Sequence, residues 1–213
     1  MSEPSVKSDV LEQSALEEAA SIQVLSETGE AVPFGSLFEQ QKTIVVFIRH
    51  FLCGMCKLYV EELGKVPKSA LDAAGTRIVV IGCGEWSVIK KYRDDSANYP
   101  YDIYAEPTRA LHQKLGLLSN RYGAGPGEKR KSYAGKVLAV GLASLARWIR
   151  KGYDITKVGN LSQVGGDFVL GPGSKVTFAA RMKNTQDHVE IDDLMKAAGV
   201  AYSTGVSQSG LTG

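Results

Sequence analysis

The sequence has little cysteine and no segment typical of a secreted or membrane-spanning protein. Only three of its 213 residues are cysteine: Cys53, Cys56 and Cys83. So small and odd a number does not build the disulfide framework of a secreted domain. The first nine residues are polar and contain no apolar core, so we expect no secretory signal peptide. These absences favour a reducing compartment, and we predict a cytoplasmic protein.

An excess of charge of one sign and long hydrophobic runs are also missing. The 25 basic and 23 acidic residues give a formal net charge of +2, so no overall field attracts nucleic acid. No apolar stretch reaches the roughly 18 residues that a membrane-spanning helix needs. We therefore expect no nucleic-acid partner and no transmembrane segment. What is present is an ordinary globular composition, 44% hydrophobic and 23% charged, which suits one α/β domain.

The most informative stretch is residues 44–57, where a β-branched apolar run is followed by two closely spaced cysteines. The run predicts a buried strand that stops near Arg49, and the Cys53-x-x-Cys56 pair then opens a helical pattern. A helix N-terminus carries unpaired N–H groups and about half a positive charge, which favour a thiolate. Two thiols so spaced can close a small disulfide ring, the more acidic one attacking and its neighbour resolving. The stretch therefore predicts a redox site.

Strand and helix patterns alternate along the rest of the chain. Strands are predicted over 42–49, 77–82 and 101–104. One helix is predicted from Cys53 to about Pro67, a second helical piece from there to Ala74, and further helices over 87–94, 109–115 and 190–198. The best hairpin signal is 167–170, Gly171-Pro172-Gly173 and 175–181. This order predicts an α/β fold with a central mixed β-sheet and helices on both faces. We expect one domain over residues 21–202, preceded by a tail with a short helix (1–20) and followed by a disordered tail (203–213).

Residues 132–151 are predicted to form a helix inserted between sheet elements, with basic residues at both ends. Its apolar face is most simply packed on the sheet edge or on a second subunit, which makes a homodimer possible. The alternative is that Arg147, Arg150 and Lys151 bring it to a membrane surface, or that it covers a lipid substrate.

Four segments together carry a specific resemblance. They are Phe47–Cys56 (FIRHFLCGMC), Val79–Gly84 (VVIGCG), Gln163–Leu170 (QVGGDFVL) and Arg181–His188 (RMKNTQDH). In this order and spacing the chain resembles, over roughly residues 22–200, the peroxiredoxin-like 2 group of the AhpC/TSA antioxidant-enzyme family. The resemblance implies a thioredoxin-like fold and a cytosolic redox protein of antioxidant type. Some relatives in the group act as lipid-endoperoxide reductases.

The resemblance leaves two assignments of the attacking thiol. On the thioredoxin pattern, Cys53 is the exposed nucleophile and Cys56 the buried resolver. On the ordinary peroxiredoxin pattern, Pro-x-x-x-Thr-x-x-Cys, the peroxidatic position falls on Cys56. We favour Cys53, because Cys56 shares a helical face with Val60 and Leu63. Arg49 is the third catalytic candidate, lowering a thiol pKa or holding a peroxide or anionic head group; alternatively, it pairs with a surface carboxylate.

Candidate substrate-binding residues are Gly165, Gly166, Arg181 and His188. The two glycines stand where thioredoxins carry a cis-proline facing the thiols, and would leave the backbone open for a bulky substrate. Plain turn flexibility is the alternative. Arg181 and His188 belong to the last motif, which could bring them to the thiol end of the sheet. There His188 would suit a proton donor near neutral pH, unless it is only a surface histidine before the last helix.

Metal and nucleotide sites have weaker signals. A structural zinc needs four ligands, and only the scattered Cys83, His50 and His112 could complete a site with the cysteine pair. The segment Gly82–Ser87 follows a strand but lacks the third glycine of a dinucleotide-binding loop. We expect no cofactor and no metal.

Two functions remain from the sequence. In the first, the protein is a thiol oxidoreductase that reduces peroxides, endoperoxides or disulfides through a Cys53–Cys56 disulfide. Thioredoxin or glutathione would then reduce that disulfide. In the second, the pair toggles in a redox-sensing or partner-binding module without catalysis.

Overall fold

The computed structural model describes residues 8–118, 146 and 149–204 of the chain. Helices in this part are α1 (Gln13–Ala20), α2 (Gly54–Leu63), α3 (Lys68–Ala73), α4 (Ile89–Asp95), α5 (Ala110–Lys114) and α6 (Ile191–Ala198). Short 3₁₀ turns cover Phe34–Leu37 and Trp86–Val88. The strands are β1 (Gln23–Leu25), β2 (Ala31–Pro33), β3 (Lys42–Phe47), β4 (Thr76–Gly82), β5 (Asp102–Ala105), β6 (Gly166–Leu170) and β7 (Val176–Arg181).

These strands form one mixed sheet in the order β2-β1-β5-β4-β3-β6-β7. The central strands β3, β4 and β5 run parallel, so their carboxyl ends meet at one edge of the sheet. The strand β6 pairs antiparallel with β3, with Gly166 opposite Phe47 and Asp167 opposite Val46. The amino end of β6 therefore lies at the same edge as the carboxyl end of β3. This edge receives the segments that follow β3 and β4 and the one that precedes β6.

Alternating side chains divide the core between the two faces of the sheet. Along β3, Ile44 and Val46 face the cluster that also contains residues of α2, α4 and α6. Val45 and Phe47 face the other cluster, with residues of α1 and α5. In β6 the same alternation sends Val169 to the α2 face and Phe168 to the α5 face. The predicted α/β fold, a mixed sheet with helices on both faces, is confirmed.

Two predicted boundaries differ from the structure. The strand β3 ends at Phe47 rather than Arg49, because the chain there leaves the β6 ladder and Phe51 N–H donates to the Val158 carbonyl at 2.9 Å. The first helix predicted after Cys53 ends at Leu63 rather than near Pro67, and the second predicted helical piece is helix α3, which begins after Pro67. Proline is well suited to this position, because it cannot continue a helix but is tolerated at the start of one.

Most of the predicted inserted helix, residues 132–151, lies outside the described residues. Its last part is described and is helical at Ala146 and over 149–151. In the part of the chain that the structure describes, no helix is both long and apolar enough to cross a membrane.

Candidate thiol redox site

The two cysteines lie at the start of α2, after the loop that connects it to β3. Cys53 has extended backbone angles (φ −65°, ψ 113°) and is the N-cap residue of α2. Its Sγ accepts a hydrogen bond from the Cys56 N–H at 3.2 Å, so a sulfur occupies the acceptor position that a serine or aspartate oxygen commonly takes. The Cys56 thiol also donates to Cys53 Sγ at 2.7 Å. Both cysteines are free thiols and neighbours, so a disulfide needs only a small movement.

Both thiols are buried, Cys53 with 4% of its surface exposed and Cys56 with none. Cys56 lies on the buried face of α2 with Tyr59, Val60 and Leu63, as its helical position predicts. The prediction that Cys53 is an exposed thiol is wrong, because the Arg49 side chain lies against its sulfur. Of the two, only Cys53 has any exposed surface.

Arg49 is held by backbone oxygens rather than by a carboxylate. Its Nε donates to the Gln163 carbonyl at 2.9 Å, and one terminal nitrogen donates to the Leu161 carbonyl at 2.8 Å. The other terminal nitrogen lies 3.6 Å from Cys53 Sγ. Because carbonyls carry no net charge, the positive charge of Arg49 stays available to the sulfur. Among the described residues, the alternative of a surface carboxylate paired with Arg49 is not found.

The two thiols are opposite in acidity. Burial acts to raise the pKa of Cys53, but the hydrogen bond from the Cys56 thiol, the Arg49 charge, the Cys56 N–H and the His188 charge together lower it to about 6. Burial raises the pKa of Cys56 well above its ordinary value, and so do its hydrogen bond to Cys53 and the Cys53 charge. At neutral pH the arrangement favours a Cys53 thiolate beside a Cys56 thiol.

A buried acid and a buried histidine lie on the α2 side of the sheet, where the histidine packs on Tyr59. His188 is stacked on Tyr59, with ring centroids 4.4 Å apart and planes at 7°. Tyr59 is three residues after Cys56, one helical turn away on the same face of α2. Nδ1 of His188 lies 3.0 Å and 3.2 Å from the two carboxylate oxygens of Asp167. The alternative of a surface histidine does not hold, because His188 is 1% exposed.

Gly165, Gly166 and Arg181, the other substrate-binding candidates, each have close contacts within the protein. A Cβ on Gly165 would stand 1.9 Å from the Phe47 carbonyl oxygen, so β3 and β6 approach closely there. A Cβ on Gly166 would lie 2.8 Å from the Ala180 oxygen. Arg181 donates from Nε to the Leu115 carbonyl at 2.7 Å, and a terminal nitrogen lies 3.7 Å from Asp9. The role of these three residues in substrate binding stays a prediction.

The remaining cysteine and histidines are scattered. Cys83 follows β4, and its thiol donates to the Arg49 carbonyl at 3.0 Å. His112 is buried on the α5 face, with its ring 5.2 Å from that of Phe47 and Nδ1 3.8 Å from Glu106. Within the described residues, no group of three or more His, Cys, Asp or Glu side chains is placed to hold a metal ion.

Three contributors to this site were not predicted. The carbonyls of Leu161 and Gln163, which hold Arg49, have no signal in the sequence because they are backbone groups. Asp167 does have a signal in the sequence, because it is a lone acid between Gly-Gly and Phe-Val-Leu in a run with the pattern of a buried strand. A charge in such a run indicates a buried partner, although not which one.

A mixed sheet with Cys-x-x-Cys at the start of the helix after a central parallel strand defines a thioredoxin-like protein. Solved structures agree. A peroxidoxin, BcpB from Mycobacterium tuberculosis, superposes with a TM-score of 0.56 at 10% identity, covering 85% of this chain and 94% of that one. A cysteine-to-serine mutant of peroxiredoxin 6 from Arenicola marina also has a TM-score of 0.56, at 13% identity over 84% of this chain and 69% of that one. At these identities the likeness shows the fold.

Sequence comparison then narrows the class. Residues 62–184 match the family model described as AhpC/TSA antioxidant enzyme. Human peroxiredoxin-like 2C is 35% identical over 183 residues, which are 86% of this chain and 80% of the human protein. The chain therefore belongs to the AhpC/TSA antioxidant-enzyme family, in its peroxiredoxin-like 2 group. A zebrafish (Danio rerio) prostamide/prostaglandin F synthase is 29% identical over 179 residues, 82% of each chain.

Family membership supports a redox function and an oxidoreductase type of enzyme. The segment matched by the family model starts at residue 62, after both thiols. What the thiol pair does is therefore argued from its own geometry.

Proposed function

We propose that the protein is a thiol-dependent antioxidant oxidoreductase in which Cys53 is the nucleophile, Cys56 the resolving thiol and Arg49 the group that stabilises the thiolate. One observation carries the proposal. Cys53 Sγ accepts from both the N–H and the thiol of Cys56 and lies 3.6 Å from an Arg49 nitrogen. All three contacts favour negative charge on Cys53, and they leave the proton on Cys56.

In the first step the Cys53 thiolate attacks one oxygen of an O–O bond. The sulfur–oxygen bond forms as the O–O bond breaks. A hydroperoxide leaves a Cys53 sulfenic acid and releases its other oxygen as an alcohol once it is protonated, or as water from hydrogen peroxide. An endoperoxide, whose two oxygens both carry carbon, leaves a Cys53 sulfenate ester of the ring-opened substrate. Cys56 then attacks the Cys53 sulfur, forming the disulfide and releasing water from the sulfenic acid or the alcohol from the sulfenate ester. Thioredoxin, or two molecules of glutathione, would return both sulfurs to thiols by disulfide exchange. With a disulfide as substrate, exchange replaces the first step.

The substrate class is proposed from chemistry and relatives together. Arg49 beside the sulfur can also hydrogen-bond an oxygen of a peroxide or endoperoxide. The printed name of the zebrafish relative, prostamide/prostaglandin F synthase, makes a lipid endoperoxide a reasonable substrate to test. A reducing compartment such as the cytoplasm would keep the pair reduced between turnovers.

Intact-mass thiol alkylation before and after treatment with a peroxide panel tests the proposal. Wild-type protein should lose two hydrogens, and peptide mapping should place the disulfide at Cys53–Cys56. A sulfenic acid should be trapped in Cys56→Ser and not in Cys53→Ser, and Cys83→Ser should behave as wild type. If the wild-type protein never loses two hydrogens, the disulfide mechanism is wrong. A sulfenic acid trapped only in Cys53→Ser would reverse the assignment of the two thiols.

The burial of Cys53 favours one second candidate. With 4% of its surface exposed, Cys53 suits a small oxidant better than a large one. A redox-sensing module could therefore oxidise slowly and signal through its disulfide without turnover. Repeated cycles of peroxide consumption with thioredoxin or glutathione would support the enzyme. Stoichiometric oxidation without turnover would support the sensor.

A further inference from the structure

The buried carboxylate Asp167 stands inside the sheet at a position that ordinarily costs stability. It is the second residue of β6, opposite Val46, on the same face of the sheet as Val46 and Val169, and is fully buried. A charge removed from water must be compensated by hydrogen bonds or an opposite charge. Two groups do this here: His188 Nδ1 at 3.0 Å and 3.2 Å, and the Val189 N–H, which donates to Asp167 at 2.8 Å.

These contacts fix the orientation of the imidazole. An ionised carboxylate only accepts hydrogen bonds, so the Nδ1 that faces Asp167 carries the proton. The second ring nitrogen, Nε2, is then the atom that exchanges a proton. The ring is held flat against Tyr59, which lies one helical turn from Cys56 on the buried face of α2. The imidazole is therefore packed against the side of α2 that carries Cys56.

The resolving step needs a proton-exchanging group. Burial, the largest cause of the raised pKa of Cys56, remains after Cys53 is oxidised, yet only a thiolate attacks a sulfur efficiently. The site is buried, so bulk water has limited access to the Cys56 thiol. The proton must move to a nearby base as the sulfur–sulfur bond forms.

We propose that His188 is the base that accepts the Cys56 proton, directly or through one water, during disulfide closure, and that Asp167 is its positioning residue. This rests on the proposed function, in which Cys56 resolves an oxidised Cys53. Cys56 Sγ bonds to Cys53 Sγ as the leaving group departs, and its proton passes to Nε2 of His188. The imidazolium, stabilised by Asp167, then returns the proton to the leaving hydroxide or thiolate. The histidine ends the step unchanged.

A two-phase reaction with methyl methanethiosulfonate separates attack from closure. The Cys53 thiolate takes the thiomethyl group and releases methanesulfinate. Cys56 then displaces methanethiol, which leaves the Cys53–Cys56 disulfide. Quenched samples are analysed by intact mass. The protein first gains one thiomethyl group, and it then loses that group and becomes two hydrogens lighter than the starting protein. Cys56→Ser should stop after the first phase.

In His188→Gln, we expect thiomethylation of Cys53 within about threefold of wild type, because His188 contributes the last of the four lowering effects on its pKa. We expect closure to slow by about 100-fold, the lower range for loss of general acid–base catalysis. In Asp167→Asn the amide oxygen can still accept from the Val189 N–H, and we expect closure to slow by roughly tenfold.

The matched control is His112→Gln, which makes the same substitution at a fully buried histidine on the other face of the sheet. It should change neither phase. Circular dichroism and thermal melting establish which variants are folded, and if His188→Gln is not, Asp167→Asn decides. Closure at the wild-type rate in the folded variant would overturn the roles proposed for His188 and Asp167 and leave the proposed function standing. Absence of closure in wild type would instead overturn the Cys53–Cys56 mechanism.

Discussion

Cys53 and Cys83 occupy comparable places and behave in opposite ways. Each follows a central parallel strand, β3 or β4, at the same edge of the sheet, and they are 4% and 2% exposed. Yet the pKa is lowered to about 6 at Cys53 and raised to about 11 at Cys83. Burial acts to raise the pKa at both. The difference must therefore come from the groups around each sulfur.

The balance of contacts around each sulfur separates the two. Cys53 Sγ accepts hydrogen bonds from the N–H and the thiol of Cys56 and lies beside the Arg49 charge, and together these outweigh burial. Cys83 also has backbone hydrogen bonds that lower its pKa, but they do not outweigh burial, and its thiol donates to the Arg49 carbonyl, a bond that exists only while the proton is present. Arg49 thus serves both sites, its guanidinium at Cys53 and its carbonyl at Cys83. Burial does not distinguish a reactive cysteine from an inert one, but the polarity of its contacts does.

The largest expected effect is the difference in alkylation rate between the two thiols at pH 7. With a pKa of about 6 against about 11, the thiolate fractions differ by about 10⁴. The more basic thiolate is intrinsically more nucleophilic by about 100-fold, which leaves an advantage of about 100-fold for Cys53. Mass mapping of iodoacetamide-treated protein over time measures both rates in one sample. Comparable rates in the folded protein would contradict the comparison.

The next largest effect is expected from Arg49→Gln, which removes the charge beside Cys53. A rise of about one unit in the Cys53 pKa would lower its thiolate fraction at pH 6 about fivefold. Because the more basic thiolate is about threefold more nucleophilic, the alkylation rate at pH 6 should fall about twofold. At pH 9, where the thiolate predominates in both proteins, the variant should be alkylated about threefold faster than wild type. A pH profile of alkylation in a Cys56→Ser background measures the midpoint directly.

Arg77→Gln is the control for this substitution. Arg77 also donates to a backbone carbonyl, that of Leu37, but belongs to β4 near its amino end, away from the thiols. It should leave the midpoint unchanged. A midpoint that moves equally in both variants would assign the effect to overall charge rather than to the contact with Cys53.

Much of the fold could be predicted from local sequence patterns. The elements that could not be predicted depend on tertiary contacts or on a residue that suits two structures. The strands β3 and β4 are continuous β-branched runs because both of their faces are covered, so the sequence alone indicates them. The three-residue strands β1 and β2 carry little pattern of their own, and they are defined by their pairing with each other and by the pairing of β1 with β5. The break between α2 and α3 depends on Pro67, because a proline suits the start of a helix as well as the end of one.

The candidate site divides in the same way. The thiols and Arg49 are neighbours in sequence, so spacing alone brings them together. Asp167 and His188 are 21 residues apart. Their contact depends on where β6 lies in the sheet and on the path of the chain between β7 and α6. The Gly165 position illustrates a second limit. A glycine is visible in the sequence, but not whether it makes room for a substrate or for another strand.

The smallest expected effect on Cys53 comes from Gly165→Ala. Because the new Cβ would meet the Phe47 oxygen at 1.9 Å, β6 must move away from β3, and with it the preceding carbonyls that hold Arg49. We expect stability to fall by about 1–3 kcal/mol, as for other overpacked positions, and the Cys53 alkylation rate at pH 6 to fall by less than about twofold.

Gly75→Ala separates strain from displacement. Gly75 has a positive φ of 57° and nothing within 4 Å of its Cβ position, so alanine there costs backbone strain alone. Melting temperatures should fall in both variants, but only Gly165→Ala should change the Cys53 rate, because only Gly165 adjoins the segment that anchors Arg49. A Cys53 rate unchanged in Gly165→Ala, despite lower stability, would mean that Arg49 tolerates movement of its carbonyl partners. The contrast between Cys53 and Cys83 would then depend on the Cys56 hydrogen bonds more than on the arginine.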